Sequence, residues 1–305
     1  MPQAKIIRKI KRHLLKAELS EDKRVCHTTH GNNDVYCTNY LNAPNVMQEI
    51  GRLREIAFRE AGGGTGNAID IDEYDICNPP FEQLFVWDPH AKEIISSYRF
   101  ILGKHILIDN NGNAQSPTAE LFKFSPEFIR KYLPLSIELG RSFVQPKFQA
   151  SRKGIFALDN IWDGLGCILG KHPEIEYVYG KMTMYKSYPV LARDLILYFL
   201  QKHFKADKDL LSPIVPLRLH HNEIILQSIL PCNTPQEDYF LLQQKVHSLG
   251  CNIPPLVNIY IKLSPRISFF GTSDNHAFGD VEESAIMIRI KDMYPQKLER
   301  YLHHH

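Results

Sequence analysis

Charged residues interrupt the apolar runs of this chain at four places, and their types and spacing suit acid–base chemistry or the binding of an anion. Glu138 and Arg141 bracket Leu139-Gly140 in a segment that also carries Ile137, Phe143 and Val144. Arg99 follows Tyr98 in an apolar run. Asp70, Asp72 and Asp75 alternate with Ile69, Ile71 and Tyr74, and Arg52 and Arg54 precede Phe58. A charge at a buried position is costly unless it meets a partner. One network of Asp, Arg and Glu would satisfy all of these together. It would serve equally well as a clamp on the neighbouring Gly-rich loop or as a reaction centre, and periodicity alone leaves the two level.

Other motifs carry less. Gly62-Gly63-Gly64-Thr65-Gly66 has the composition of a phosphate loop, but it follows a helix and no Lys-Ser/Thr comes after it. Phosphate loops need strand, loop and helix in that order, so a plain loop is the expectation. Cys26, His27, His30 and Cys37 are zinc-ligand types. Their spacing fits no finger, and loop residues are the expected reading, with no metal assigned. The six cysteines contain no CxxC pair and are too sparse for a disulfide framework.

The elements that must position the charged residues follow from hydrophobic spacing. Ile6, Ile7, Ile10, Leu14 and Leu15 recur at helical spacing, with Lys5, Arg8, Lys9, Lys11, Arg12 and Lys16 on the other face. The pattern predicts a basic amphipathic helix over 5–17. A polar loop over 20–43 leads to a second helix, capped at Asn45, striped by Val46, Ile50, Leu53, Ala57 and Phe58, and stopped at Gly62. Strands are predicted at 84–87 and 94–102, joined by a turn at 88–92, then at 121–124, 135–144 and 177–184. Ser125-Pro126-Glu127 opens a helix. Further helices are expected at 155–170, from Pro189 to about 204 and at 238–248, with last strands at 256–263 and 285–290. The alternation predicts a mixed α/β fold with a central sheet flanked by helices.

The 305 residues are 44% hydrophobic and 23% charged, which excludes fibrous and disordered classes. Lys and Arg total 36 against 34 Asp and Glu, so no global field draws nucleic acid. No apolar run reaches the ~18–20 residues that span a bilayer. The expectation is a cytoplasmic protein, with peripheral contact at the inner membrane open through residues 5–17. Residues 1–44 read as a basic extension and 45–302 as a single domain. His303-His304-His305 looks like a purification-tag remnant.

With these residues in view, the chain resembles a branch of the GNAT acyltransferase superfamily. The motifs, in order, are Arg52-Leu53-Arg54-Glu55 with Phe58 and Glu60, Asp72 with Asp75, Tyr98-Arg99, and Glu138-Leu139-Gly140-Arg141-Ser142 with Val144. Trp162-Asp163-Gly164-Leu165, Tyr179-Gly180, Ile253-Pro254-Pro255 and Phe278-Gly279-Asp280 extend the likeness to about 46–292. The branch holds the acyl-homoserine-lactone synthases and the hemolysin-like ornithine-lipid and glycine-lipid N-acyltransferases. Gly140 is similar to the lipid side, where the lactone synthases usually carry Ser. The lactone synthases also place a Trp shortly after the helix-end Phe, and here the Gly-rich loop stands instead.

The resemblance implies transfer of a (3-hydroxy)fatty acyl group from a thioester to the amine of glycine or ornithine, with no bound cofactor. Glu138 would be the base, Arg99 or Arg141 would hold the acceptor's carboxylate, and Asp72 and Asp75 would orient the arginines or the amine. Arg54, Phe58, Ser142, Phe143 and Val144 would bind substrate, with backbone N–H groups near Phe143 and Val144 on the oxyanion. Tyr177, Tyr179 and Tyr185 stand as acids for the leaving thiolate. Gln149, Arg152, Lys153 and Gly154 only partly match the pyrophosphate loop, because Arg152 takes the place of its central Gly. That departure suits acyl carrier protein as donor, with acyl-CoA the alternative. A signal synthase and a non-catalytic, membrane-binding protein are the competing functions.

Overall fold

The computed structural model describes residues 3–149, 151, 154 and 156–302. It divides into two compact units. The first runs to Ile106 and resumes over Pro134–Glu176 and from Pro295 onward; the second comprises Leu107–Leu133 and Tyr177–Tyr294. In chain order the strands are β1 (Arg24–His27), β2 (Asp34–Thr38), β3 (Glu82–Asp88), β4 (Glu93–Leu102), β5 (Phe122–Phe124), β6 (Ser136–Val144), β7 (Tyr177–Met184), β8 (Leu211–Pro213), β9 (Ile267–Asn275) and β10 (Val281–Arg289). The class is mixed α/β with sheet strands flanked by helices, as expected. Among the described residues no helix is long and apolar enough to cross a membrane.

In the first unit, β1, β2, β3, β4 and β6 pair antiparallel in that order. The pleat sends alternate residues to opposite faces. Leu84 and Tyr98, paired across β3 and β4, face the helix Ala157–Lys171, whose Gly164 approaches Val35 and Leu84 so closely that a Cβ would lie 2.4 Å from Val35. Gln83 and Arg99, also paired, face the opposite way, toward the helix Pro44–Ala61. The buried residues of that helix, Val46, Ile50, Leu53, Ala57 and Phe58, form the apolar stripe the sequence predicts.

The second unit pairs β7 with β10 and β10 with β9, all antiparallel, and β5 with β8 separately. Its core helix, Val190–Phe204, is apolar almost all round and correspondingly buried, from Leu195 to Leu200 without a break.

Five expectations need correction. The helix expected to be capped at Asn45 begins at Pro44 with Ala43 in the cap position, and the Glu18 carboxylate accepts the N–H groups of Asn45 and Val46. Residues 4–10 are extended, not helical: Ala4 and Ile7 donate their N–H groups to Gly66 and Ala68, and Ile10 donates to Glu49 Oε2 at 3.0 Å. The helix there is only Arg12–Glu18. The three β-branched isoleucines favour the extended form once a neighbouring backbone offers partners. The polar loop over 20–43 holds β1 and β2, and the sequence reading lacked β9 altogether. The strand expected at 256–263 is the helix Pro255–Leu263: Val257, Tyr260 and Leu263 are buried every third residue, and Pro255 occupies its first turn. Ser125-Pro126-Glu127 opens one wide turn, Phe128–Tyr132, and a tight one, Leu133–Leu135, in place of a regular helix.

Candidate active site

The first unit gathers most of the charged residues singled out in the sequence; Arg52 pairs instead with Glu49, at 2.8 and 2.6 Å. Arg54, fully buried on the helix Pro44–Ala61, donates from Nη1 to Asp75 Oδ2 at 3.0 Å and from Nη2 to Gln83 Oε1 at 2.5 Å. Gln83 returns its Nε2 to Asp75 Oδ1 at 3.0 Å, closing a triangle. Asp72 caps the short helix Glu73–Ile76, accepting the N–H groups of Tyr74 and Asp75, while Asp75 accepts the N–H of Asp72. Both carboxylates are thereby held by backbone before any arginine reaches them. Arg99 then binds Asp72 through Nη1 and lies 3.2 Å from Asp75, with the Phe81 ring 5.4 Å and the Tyr74 ring 5.8 Å from its guanidinium carbon.

Arg141 joins from β6 through a β-bulge. Between the pairs Ser97–Phe143 and Arg99–Gly140, β4 has one residue, Tyr98, and β6 has two, Arg141 and Ser142. Strict alternation would turn Arg141 away from the face shared by Glu138, Gly140 and Arg99. With φ at +50°, in the left-handed region that non-glycine residues seldom adopt, Arg141 instead meets Asp72 Oδ2 at 3.3 Å and Asp70 Oδ2 at 3.3 Å. Gln83, Arg99 and Gly140 form one row across three strands. Glu138 stands two residues along β6 on the same face, 3% exposed.

Environment tunes these groups in opposite senses. Burial pushes the Asp70 carboxyl up against the pull of Arg141 and Arg54. Burial also opposes ionisation of Asp72, but Arg99 and Arg141 outweigh it and hold that carboxyl below the usual carboxylate range. For Arg99, burial is overcome by Asp75 and Asp72, which keep it firmly cationic. Arg54, by contrast, is lowered, because burial dominates there.

The remaining site residues are placed as follows. Phe58 is buried near the end of its helix, Phe143 is buried on the face of Arg99, and Ser142 and Val144 are half-buried. Gln149 donates Nε2 to the Val144 carbonyl at 2.9 Å. Gly154 closes a coil on Ser151, where a Cβ would lie 2.1 Å from the Phe148 carbonyl oxygen, so only glycine fits. Arg152 and Lys153 lie outside the described residues, as does the terminal His303–His305. Tyr177, Tyr179 and Tyr185 belong to the second unit, where Tyr179 is packed edge-on by Phe124 and Phe128.

The Gly-rich loop has an occupant of its own: Thr65 and Gly66 donate their N–H groups to the buried Glu55 carboxylate, at 3.1 and 2.8 Å. The four Cys and His candidates disperse. His27 pairs with Asp34 at 2.8 Å, Cys37 turns to Glu82, His30 stacks on Phe156 and Cys26 meets Cys167. Sequence reasoning missed Gln83 as a member of the network. Its only signal was an amide between Phe81 and the apolar run Leu84–Trp87.

Comparison with known proteins identifies the family. Residues 53–157, which span the whole charged network, match the family model of an acetyltransferase (GNAT) domain. The chain is similar to a glycine N(alpha)-acyltransferase of Phocaeicola vulgatus, 50% identical over 97% of this chain and 92% of that protein. It is 49% identical to one of Bacteroides thetaiotaomicron over 97% of this chain and 89% of that protein. A CoA-dependent acyl-homoserine lactone synthase bound to SAM and isopentyl-CoA is 11% identical, covering 88% of this chain and 86% of its own at a TM-score of 0.38, too slight a likeness to bear on function. Half-identity over nearly its whole length places the chain in the glycine N(alpha)-acyltransferase family, and it is an acyltransferase.

Proposed function

We propose that the chain transfers a fatty acyl group, 3-hydroxylated in the expected donor, from the thioester of acyl carrier protein to the amine of glycine. The observation that carries this reading is the convergence of Arg99 and Arg141 on Asp72, on the face where Glu138 stands. Arginine is suited to carboxylate because its planar fork donates two parallel hydrogen bonds. Arg141 is 18% exposed and Arg99 2%, so Arg141 is the one positioned to receive an acceptor's carboxylate while Arg99 sets its orientation through Asp72. Glycine fits better than ornithine, because the relatives bear that acceptor in their names.

Glycine arrives with its amine protonated, so a proton must leave before attack. Glu138 takes it, directly or through water. The nitrogen lone pair then attacks the thioester carbonyl carbon, and the negative charge on the oxygen is met by backbone N–H groups near Phe143 and Val144. Collapse breaks the carbon–sulfur bond. The thiolate takes up a proton and leaves as the carrier's free thiol, and the nitrogen loses its remaining extra proton to give the amide.

The test is incubation with 3-hydroxyhexadecanoyl carrier protein and a pool of amino acids, read by mass spectrometry of the lipid extract. The expected product is N-acylglycine, lost in Glu138→Gln. Acylation of ornithine in preference to glycine would overturn the acceptor. Release of a cyclised product would favour a signal synthase.

A further inference from the structure

Glu93, at the start of β4, is 3% exposed and receives three cations from separate segments of the first unit. Lys9 and Lys147 each donate Nζ at 2.6 Å, and Arg12 binds the same carboxylate. The carboxylate thereby pins the extended residues 4–10 and the helix Arg12–Glu18 beside the helix Pro146–Gln149. That short helix ends at Gln149, which the resemblance to the pyrophosphate loop implies for binding the donor's phosphopantetheine phosphate.

The pin uses Lys9, Arg12 and Lys147. Lys5, Arg8, Lys11 and Lys16 are exposed, and among the described residues they make no ion pair. The apolar residues of the same stretch turn inward: Ile6, Ile7 and Ile10 are half-buried, and Leu15 is 1% exposed. Only Leu14 remains largely open, at 38%. A segment that enters a bilayer interface must present an apolar face outward beside its cations. This one presents cations and almost nothing apolar, which is the pattern of a rim that steers an acidic protein.

We infer that Lys5, Arg8, Lys11 and Lys16 form the docking surface for the acidic carrier protein that delivers the acyl thioester. The inference rests on the carrier-protein donor proposed above. A carrier whose prosthetic arm enters beside Gln149 must seat its body next to the helix Pro146–Gln149, and the pinned N-terminal segment is what Glu93 holds there.

The experiment compares two donors bearing the same acyl group, one on carrier protein and one on CoA, in the unaltered chain and in Arg8→Glu/Lys11→Glu/Lys16→Glu. The expected result is a rise of about tenfold or more in KM for the carrier donor, with kcat and all CoA kinetics within about twofold. The Gln triple variant should fall between the two, and equal melting temperatures would show that all three fold alike. An unchanged carrier KM, or equal loss with both donors, overturns the surface. Reduced binding of the Glu variant to phosphatidylglycerol vesicles with carrier KM unchanged overturns it in favour of a lipid contact. If the unaltered chain accepts only the CoA donor, the carrier reading itself fails and the surface falls with it.

Discussion

Arg54 has no exposed surface, yet it carries a full charge into the space between a helix and a sheet. Asp75 neutralises it and Gln83 completes the fork, so the side chain is tolerable only as part of a set. Gln83→Leu leaves Arg54 Nη2 without its acceptor and removes one of the two donors to Asp75 Oδ1, and should cost about 1–3 kcal/mol in chemical denaturation. The two arginines proposed to hold and orient the acceptor are expected to respond differently. Arg141→Lys keeps the charge but loses the fork, and should raise KM for glycine about tenfold with little change in melting temperature. Arg99→Lys, at a site with 2% exposure and two carboxylates to satisfy, should lower the melting temperature as well as kcat. Steady-state kinetics with thermal melts separates the two. The residues of this network were legible because each broke an apolar pattern. Gln83 was not, because one neutral amide in a strand announces nothing.

At the level of elements, register decides what the side chains can do. Gln83, Arg99 and Gly140 line up because β3, β4 and β6 are antiparallel and paired at those residues, and one bulge brings Arg141 to the same face. The motif Glu138-Leu139-Gly140-Arg141 was visible in sequence, but a strand reading with strict alternation would put Glu138 and Arg141 on opposite faces. The helix Ala157–Lys171 makes a complementary point. Its Gly166 allows the Tyr301 carbonyl to approach so closely that a Cβ would lie 1.8 Å from it. Trp162 of the same helix packs on the Tyr301 ring at 5.8 Å. Gly166→Ala should therefore destabilise by about 1–3 kcal/mol, as overpacking does, and the loss should be read as a lower denaturant midpoint with unchanged slope. The helix Pro255–Leu263 was misread as a strand because Val257, Ile259 and Ile261 are strand formers, and only packing reveals that burial recurs every third residue.

Over the whole molecule, charge is nearly balanced but unevenly spread, and acid should expose one consequence. Burial raises the Glu93 carboxyl, yet hydrogen bonds from Lys147, Lys9 and Arg12 prevail and bring it to about 2. A carboxyl lowered on folding contributes stability that is present above its unfolded value, roughly 4.3, and is lost as pH falls through the folded one. Glu93→Gln should cost about 1–2 kcal/mol at pH 7, allowing for screening at the exposed lysines. The difference from the parent should shrink between about pH 4.3 and 2. Denaturation curves across that range check it, and a gap that persists undiminished to pH 2 would sink the assignment.

The amino-acid sequence by itself determined the α/β class and the extent of most long elements, because these depend on local periodicity and on residue type, and it singled out the charged residues proposed to react. It also ruled out a phosphate loop at Gly62–Gly66 from the order of elements alone. Tertiary structure alone decided the face on which Arg141 stands, the partners of Arg54, and the extended path of residues 4–10 against Gly66 and Ala68. Each of these is settled by a contact between segments far apart in the chain. A bulge, a shared carboxylate or a borrowed backbone partner leaves no mark in the local pattern of either segment that makes it.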